Sequence, residues 1–125
     1  MSFCTVINCM DGRVQVQVND YLKEYFGAEY VDTITEPGPN GIIAKGENEA
    51  LMESINTRIG ISVEKHGSAG IAVVGHHDCA GNPVDQPVQD EQTRASVAYL
   101  RDKYPSVKVI GLWVNSDWQV ELLEL

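Results

Sequence analysis

Two short clusters hold the residue types that can do chemistry: Cys9-Met10-Asp11-Gly12-Arg13 near the start, and Gly75-His76-His77-Asp78-Cys79 past the middle. His76 and Cys79 stand three apart, a spacing that lets an imidazole and a thiolate converge on one ion from the turn into a helix. Such a pair arises often by chance, so it means little alone. With Cys9 the set becomes two thiolates and one imidazole, soft-to-borderline donors that suit zinc, and three protein ligands leave a fourth position for water or substrate. Zinc in such a site lowers the pKa of bound water toward ~7 and makes hydroxide available at neutral pH. Two thiolates offset the metal's charge, so water here is expected to be less acidic than on a three-histidine zinc. Asp11 then has two readings. It accepts the hydrogen of the metal-bound hydroxide while Arg13 keeps it ionised and in place, or it takes the fourth position itself and closes the site.

Each cluster follows an apolar, β-branched run. Residues 3–9 and 69–75 read as strands covered on both faces, the pattern of a parallel sheet, in which ligands gather beyond the carboxyl ends of the strands. Cys4, inside the first run, reads as a small buried hydrophobe. Val18, Leu22, Tyr25 and Phe26 predict a helix from about 19 to 26, with Asn19 and Asp20 as caps and Gly27 as its stop. Residues 29–35 follow as a second strand. Residues 36–41, Glu-Pro-Gly-Pro-Asn-Gly, read as loop, and their glycines match neither a dinucleotide fingerprint nor a P-loop. Leu51, Met52, Ile55, Ile59 and Val63 predict a helix over 47–65, with a bend at Gly60 and His66 as charge partner of its C-terminus. A helix over 88–104, a strand over 107–114, a tight turn and a half-exposed antiparallel edge strand over 118–125 complete the chain.

This alternation predicts a three-layer α/β fold, with a mostly parallel sheet of order 2-1-3-4 plus an antiparallel C-terminal edge strand. In that order strands 1 and 3 are neighbours and the winding reverses between them, which opens a crevice at their carboxyl ends. Cys9 and His76, 67 positions apart (76 − 9), are thereby delivered to one place.

At 125 residues, 43% of them hydrophobic, one domain spanning 1–125 is expected. No run approaches ~18 apolar residues, and the opening Met-Ser-Phe-Cys-Thr-Val lacks a signal-peptide layout, so a cytoplasmic, membrane-free protein is expected. A net charge of −9, from 18 acidic and 9 basic residues, disfavours nucleic acid and anionic membranes as partners. Three cysteines, an odd number, argue against a disulfide framework. Thiol-redox chemistry through Cys9 and Cys79 lacks the Cys-x-x-Cys spacing.

With both clusters read, the chain resembles the β-class carbonic anhydrases, whose motifs are Cys-x-Asp-x-Arg after the first strand and Gly-His-x-x-Cys after the third. The resemblance runs from about residue 3 to the end. It implies Zn2+ held by Cys9, His76 and Cys79, a catalytic dyad of Asp11 and Arg13, and a lyase, carbonate dehydratase, that reversibly hydrates CO2 to bicarbonate by zinc-bound hydroxide. His77 falls on a variable motif position, and is the local side chain that could pass the proton onward. The chain departs from the family at Gly12, where serine is common, and at Glu36-Pro37-Gly38-Pro39, where the family often reads Arg-Asn-Ala. Its first strand begins near Met1, where family members usually carry a helical arm that wraps a partner subunit. A homodimer or higher homo-oligomer is expected, with Trp113, Trp118 and residues 120–125 offering an edge for pairing. Two other readings stand beside this one: the same zinc site acting on another small heterocumulene, COS or CS2, and a non-catalytic zinc-binding module in which Asp11 fills the fourth position.

Overall fold

Strand β1 (Phe3–Cys9) is buried from Cys4 onward, because both of its faces are covered by helices. The computed structural model describes residues 2–125. After β1, a single 3-10 turn, Gly12–Val14, leads into α1 (Val16–Phe26). Then come β2 (Tyr30–Glu36), α2 (Pro39–Lys45), α3 (Glu49–Gly60), β3 (Gly70–His76), α4 (Gln86–Lys103), β4 (Lys108–Val114) and β5 (Val120–Leu123).

The five strands lie in the order β2-β1-β3-β4-β5, parallel except for the β4–β5 pair. This is the α/β arrangement expected from the alternation of runs. Thr5 pairs with Ile71 and Ile7 with Val73, so β1 and β3 run side by side and finish at the same edge. Side-chain alternation divides the core in two. Cys4, Val6, Ala72, Val74 and Leu112 pack with Val18 and Leu22 of α1, while Ile7, Ile71 and Val73 pack with Ile55 and Ile59 of α3 and Val97 and Leu100 of α4. All seven residues of β3 are buried, which accounts for its uninterrupted apolar sequence.

Several boundaries differ from the sequence reading. Helix α1 begins at Val16, not near 19, and Asn19 sits inside it with its N–H bonded to the Gln15 carbonyl. The N-cap of α1 is Gln15, which makes no side-chain capping bond, and Asp11 instead caps the preceding 3-10 turn by accepting from the N–H of Arg13. Residues 36–41 are not all loop. Pro39 opens α2 at the first helical position, where its missing N–H costs nothing, and Gly38 precedes it in the left-handed region at φ 66. Gly38 is also sterically required, since a Cβ there would lie 2.5 Å from Cβ of Asn82. The helix expected over 47–65 is α-helical to Gly60 and continues as a π turn, Ile61–Lys65, so the bend at Gly60 takes the form of a change in winding. His66 caps that helix end through its backbone N–H, which bonds the Ile61 carbonyl at 3.3 Å, while its side chain is engaged elsewhere. Its Nδ1 meets Asp32 Oδ2 at 2.6 Å and its ring stacks on Phe3. The edge strand shortens to β5, because Trp118 lies in the turn at φ 61. Among the described residues, no helix is long and apolar enough to cross a membrane.

Candidate metal centre

The adjacent carboxyl ends of β1 and β3 place Cys9 beside His76, and a short turn returns Cys79 to the same point. The turn is anchored by a bond from the His77 N–H to the Val114 carbonyl at 2.9 Å, and Asp78 takes a left-handed conformation, φ 57, to complete it. Sγ of Cys9 and Sγ of Cys79 lie 3.9 Å apart, and one donor atom from each of Cys9, His76 and Cys79 lies within 4.8 Å of the others, all three residues being buried. Tetrahedral bonds of ~2.3 Å from zinc to sulfur put two sulfurs about 3.8 Å apart. The observed spacing fits that cage.

The imidazole is oriented for the same purpose. His76 Nδ1 bonds the His77 carbonyl at 2.7 Å, so Nδ1 carries the hydrogen and Nε2 the lone pair. Nε2 is buried and has no hydrogen-bond partner. Leaving a buried acceptor unpaired costs about 1–3 kcal/mol, a cost that a coordinated cation removes. The donor set, its spacing and this orphaned nitrogen fit zinc.

The sulfurs are surrounded by backbone donors. Burial pushes the Cys9 thiol up, but contact with His76 and the N–H groups of Asp11 and Gly38 outweigh it and bring the thiol down to about 7. Cys79 moves the other way, to about 11, because burial and the neighbouring Cys9 outweigh the N–H groups of Asn82 and Gly81. Without a cation, Cys9 is therefore the more readily ionised of the two. Burial pulls His76 down, yet contact with Cys9 and the His77 carbonyl raise it overall.

Asp11 and Arg13 form a forked pair beside this group. Arg13 Nε reaches both carboxylate oxygens of Asp11 at 3.1 and 3.2 Å, and an end nitrogen of Arg13 reaches Oδ2 at 2.7 Å. Oδ1 also accepts from the Arg13 N–H at 2.9 Å. These bonds, the side-chain ones foremost, lower the Asp11 pKa to about 2. His77 is exposed, with its ring edge-on to Trp118. An open cleft of about 480 Å³ borders Cys79, lined by His77, Asp78, Val84, Trp113 and Asn115. A larger groove, about 810 Å³ between α3 and α4, holds none of these residues.

A polar network behind His76 lies outside both sequence clusters. Gln89 of α4, Asn40 of α2 and Asn82 are buried, and Asn40 Nδ2 bonds Gln89 Oε1 and Thr93 Oγ1, each at 3.2 Å. Asn82 Nδ2 donates to Asn40 Oδ1 and Gln92 Oε1. Gly75 leaves room for the network, since a Cβ there would lie 2.8 Å from Asn40 Nδ2. A legible signal was the run Gln89, Thr93 and Ser96, polar residues on the α4 stripe that also carries Val97 and Leu100.

Residues 1–124 match the family model described as "Putative carbonic anhydrase". No curated protein matches the sequence. Among solved structures, a β-carbonic anhydrase of Aspergillus fumigatus, CafD, aligns at 14% identity with a TM-score of 0.64, covering 100% of this chain and 90% of its own. One of two tetrameric β-carbonic anhydrases of Sordaria macrospora aligns at 12% identity and TM-score 0.56, covering 99% of this chain and 81% of its own. A second Aspergillus fumigatus enzyme, CafA, aligns at 13% and 0.52, covering 98% and 75%. Matched along nearly its whole length, and folded like the fungal β-carbonic anhydrases, the chain belongs to this carbonic anhydrase family.

Proposed function

We propose that the protein is a zinc-dependent carbonic anhydrase, a lyase that interconverts CO2 and bicarbonate, with Cys9, His76 and Cys79 as the metal ligands. The observation that carries this reading is the meeting of two sulfurs and an unpartnered imidazole nitrogen at the ends of β1 and β3. When bound, zinc supplies Lewis-acid activation of water at neutral pH. The chain's own residues do the rest. Backbone N–H groups of Asp11 and Gly38 stabilise the Cys9 thiolate, and those of Gly81 and Asn82 do the same for Cys79. The His77 carbonyl fixes the His76 tautomer. Asp11, ionised at any working pH, accepts a hydrogen bond from the attacking water and turns its lone pair toward CO2. Arg13 donates to both Asp11 oxygens, which holds the carboxylate in place. His77, exposed beside the cleft, takes the released proton on a ring nitrogen and gives it to buffer.

In this reading residues 1–125 act as one cytoplasmic zinc-binding unit assembled at least as a homodimer. The tetrameric Sordaria macrospora enzymes and the short, exposed β5 edge support assembly. The test combines metal analysis with CO2 hydration on zinc-loaded protein between about pH 7 and 9. One zinc per chain and a rate above background, both absent from Cys79→Ser, are the expected result. A background rate at every pH ends the proposal.

A further inference from the structure

Among the described residues, two that are not glycine adopt positive φ: Asp78 at 57° and Trp118 at 61°. They are far apart in sequence, on different turns. Both touch Arg13. Asp78 accepts from Arg13 through Oδ2 at 3.3 Å and through its backbone carbonyl at 3.1 Å, while the Trp118 ring lies under the guanidinium with its centroid 4.4 Å from Cζ. Left-handed backbone in a bulky side chain is costly and persists only where surrounding bonds over-determine it, and such positions gather at functional sites.

The Trp118 turn is over-determined in this way. The Trp118 N–H bonds the Asn115 carbonyl at 2.9 Å, and Asn115 Oδ1 accepts from the N–H groups of Asp117 and Gln119. Gln17 Nε2 donates to the carbonyls of both Arg13 and Trp118, tying the two backbones together. Arg13 needs such support. Its side chain is 47% exposed, and an exposed ion pair by itself exchanges among geometries. A carboxylate that must orient a reactant requires a partner that stays still.

We propose that Trp118, carried on the β4–β5 turn, is a positioning residue for the Asp11–Arg13 pair. Its ring face and Asp78 fix the guanidinium so that Nε and one end nitrogen remain on Asp11. The inference deepens the function proposed above, because it rests on Asp11 and Arg13 being the working pair. A merely structural alternative is available, since Trp118 also packs against the α1 side of the core. The two differ in what happens to Arg13.

The experiment follows the Nε–H of Arg13 by 15N NMR in the full, zinc-loaded chain, assigned by the signal lost in Arg13→Lys. Trp118→Gly and Trp118→Asn both remove the ring and tolerate positive φ, so one serves if the other fails to fold. Trp118→Phe keeps an aromatic face. The expected result is solvent exchange of that proton about tenfold faster in the ringless variants, and within about threefold of wild type in Trp118→Phe. Exchange within about twofold of wild type in a folded ringless variant overturns the inference, as does a Trp118→Phe protein that exchanges as fast as the ringless ones. The readout does not depend on turnover. A wild-type protein that fails to hydrate CO2 therefore defeats the proposed function, while the exchange rates still decide the role of Trp118.

Discussion

Gln89 satisfies both backbone groups of His76: its Oε1 accepts from the His76 N–H at 3.2 Å and its Nε2 donates to the His76 carbonyl at 2.8 Å. A helix side chain thereby fixes the last residue of β3. Replacement of Gln89 by Leu leaves these two groups and Asn40 Nδ2 short of a partner in a buried place. The expected loss is about 2 kcal/mol of stability by urea unfolding. Zinc affinity is expected to fall about 10–100-fold in chelator competition, because the ring is aimed by the backbone that Gln89 holds. Unchanged affinity in a folded variant would show that His76 needs no such support.

The cysteines differ in reactivity in the metal-free protein. Cys9 is held down to about 7, whereas Cys79 and Cys4 are pushed up to about 11 by burial, with Cys9 adding to the effect at Cys79 and Asp32 at Cys4. At mildly alkaline pH the thiolate form is therefore expected mainly at Cys9. Peptide mapping after limited alkylation is expected to show Cys9 modified first and Cys4 last. Zinc should suppress the Cys9 adduct, and labelling that begins at Cys79 contradicts the charge assignment.

Asp11 makes stability depend on pH with a defined sign. Its folded pKa, about 2, lies below the ordinary 3.8, so the pairing with Arg13 favours the native state fully above pH 3.8. That contribution is lost as pH falls through about 2. In urea unfolding of metal-free protein, Asp11→Asn is expected to be less stable than wild type by an amount constant from pH 7 down to about 4 and vanishing toward pH 2. A gap that widens on acidification would refute the pairing.

Gly38 serves two demands at once. Its φ is 66°, and a Cβ would meet Asn82 at 2.5 Å, while its N–H faces the Cys9 sulfur. Gly38→Ala is expected to cost about 1–3 kcal/mol by strain. It should also raise the Cys9 thiol pKa, read by thiolate absorbance in the metal-free protein. A loss of stability with no thiol shift would separate the steric demand from the electrostatic one.

The sequence carried the sheet order because β1 and β3 are apolar on both faces and few right-handed connections are available to such strands. Convergence of Cys9 on His76 follows from that order alone. The start of α2 was hidden by a local rule: Pro39 and Gly38 punctuate turns, yet the same residues suit the beginning of a helix. Gln89 was hidden for a different reason. Glutamine on a helix normally marks the solvent side, and only the crossing of α4 over the end of β3 turns it inward. Trp118 alternates with Val120 and Leu122 as strand residues do, so its left-handed backbone could not be foreseen.

The interior position of β1, flanked by β2 on one side and β3 on the other, has a consequence for the order of assembly. Strand β1 cannot gain its second neighbour until residues 70–76 have been synthesised, and Cys79 follows later still. Cys9 therefore waits through the synthesis of the next 70 residues (79 − 9) before Cys79 exists to join it. A cation retained by the finished protein would be a late arrival, acting as a clasp whose closure certifies that the two halves of the sheet have found each other.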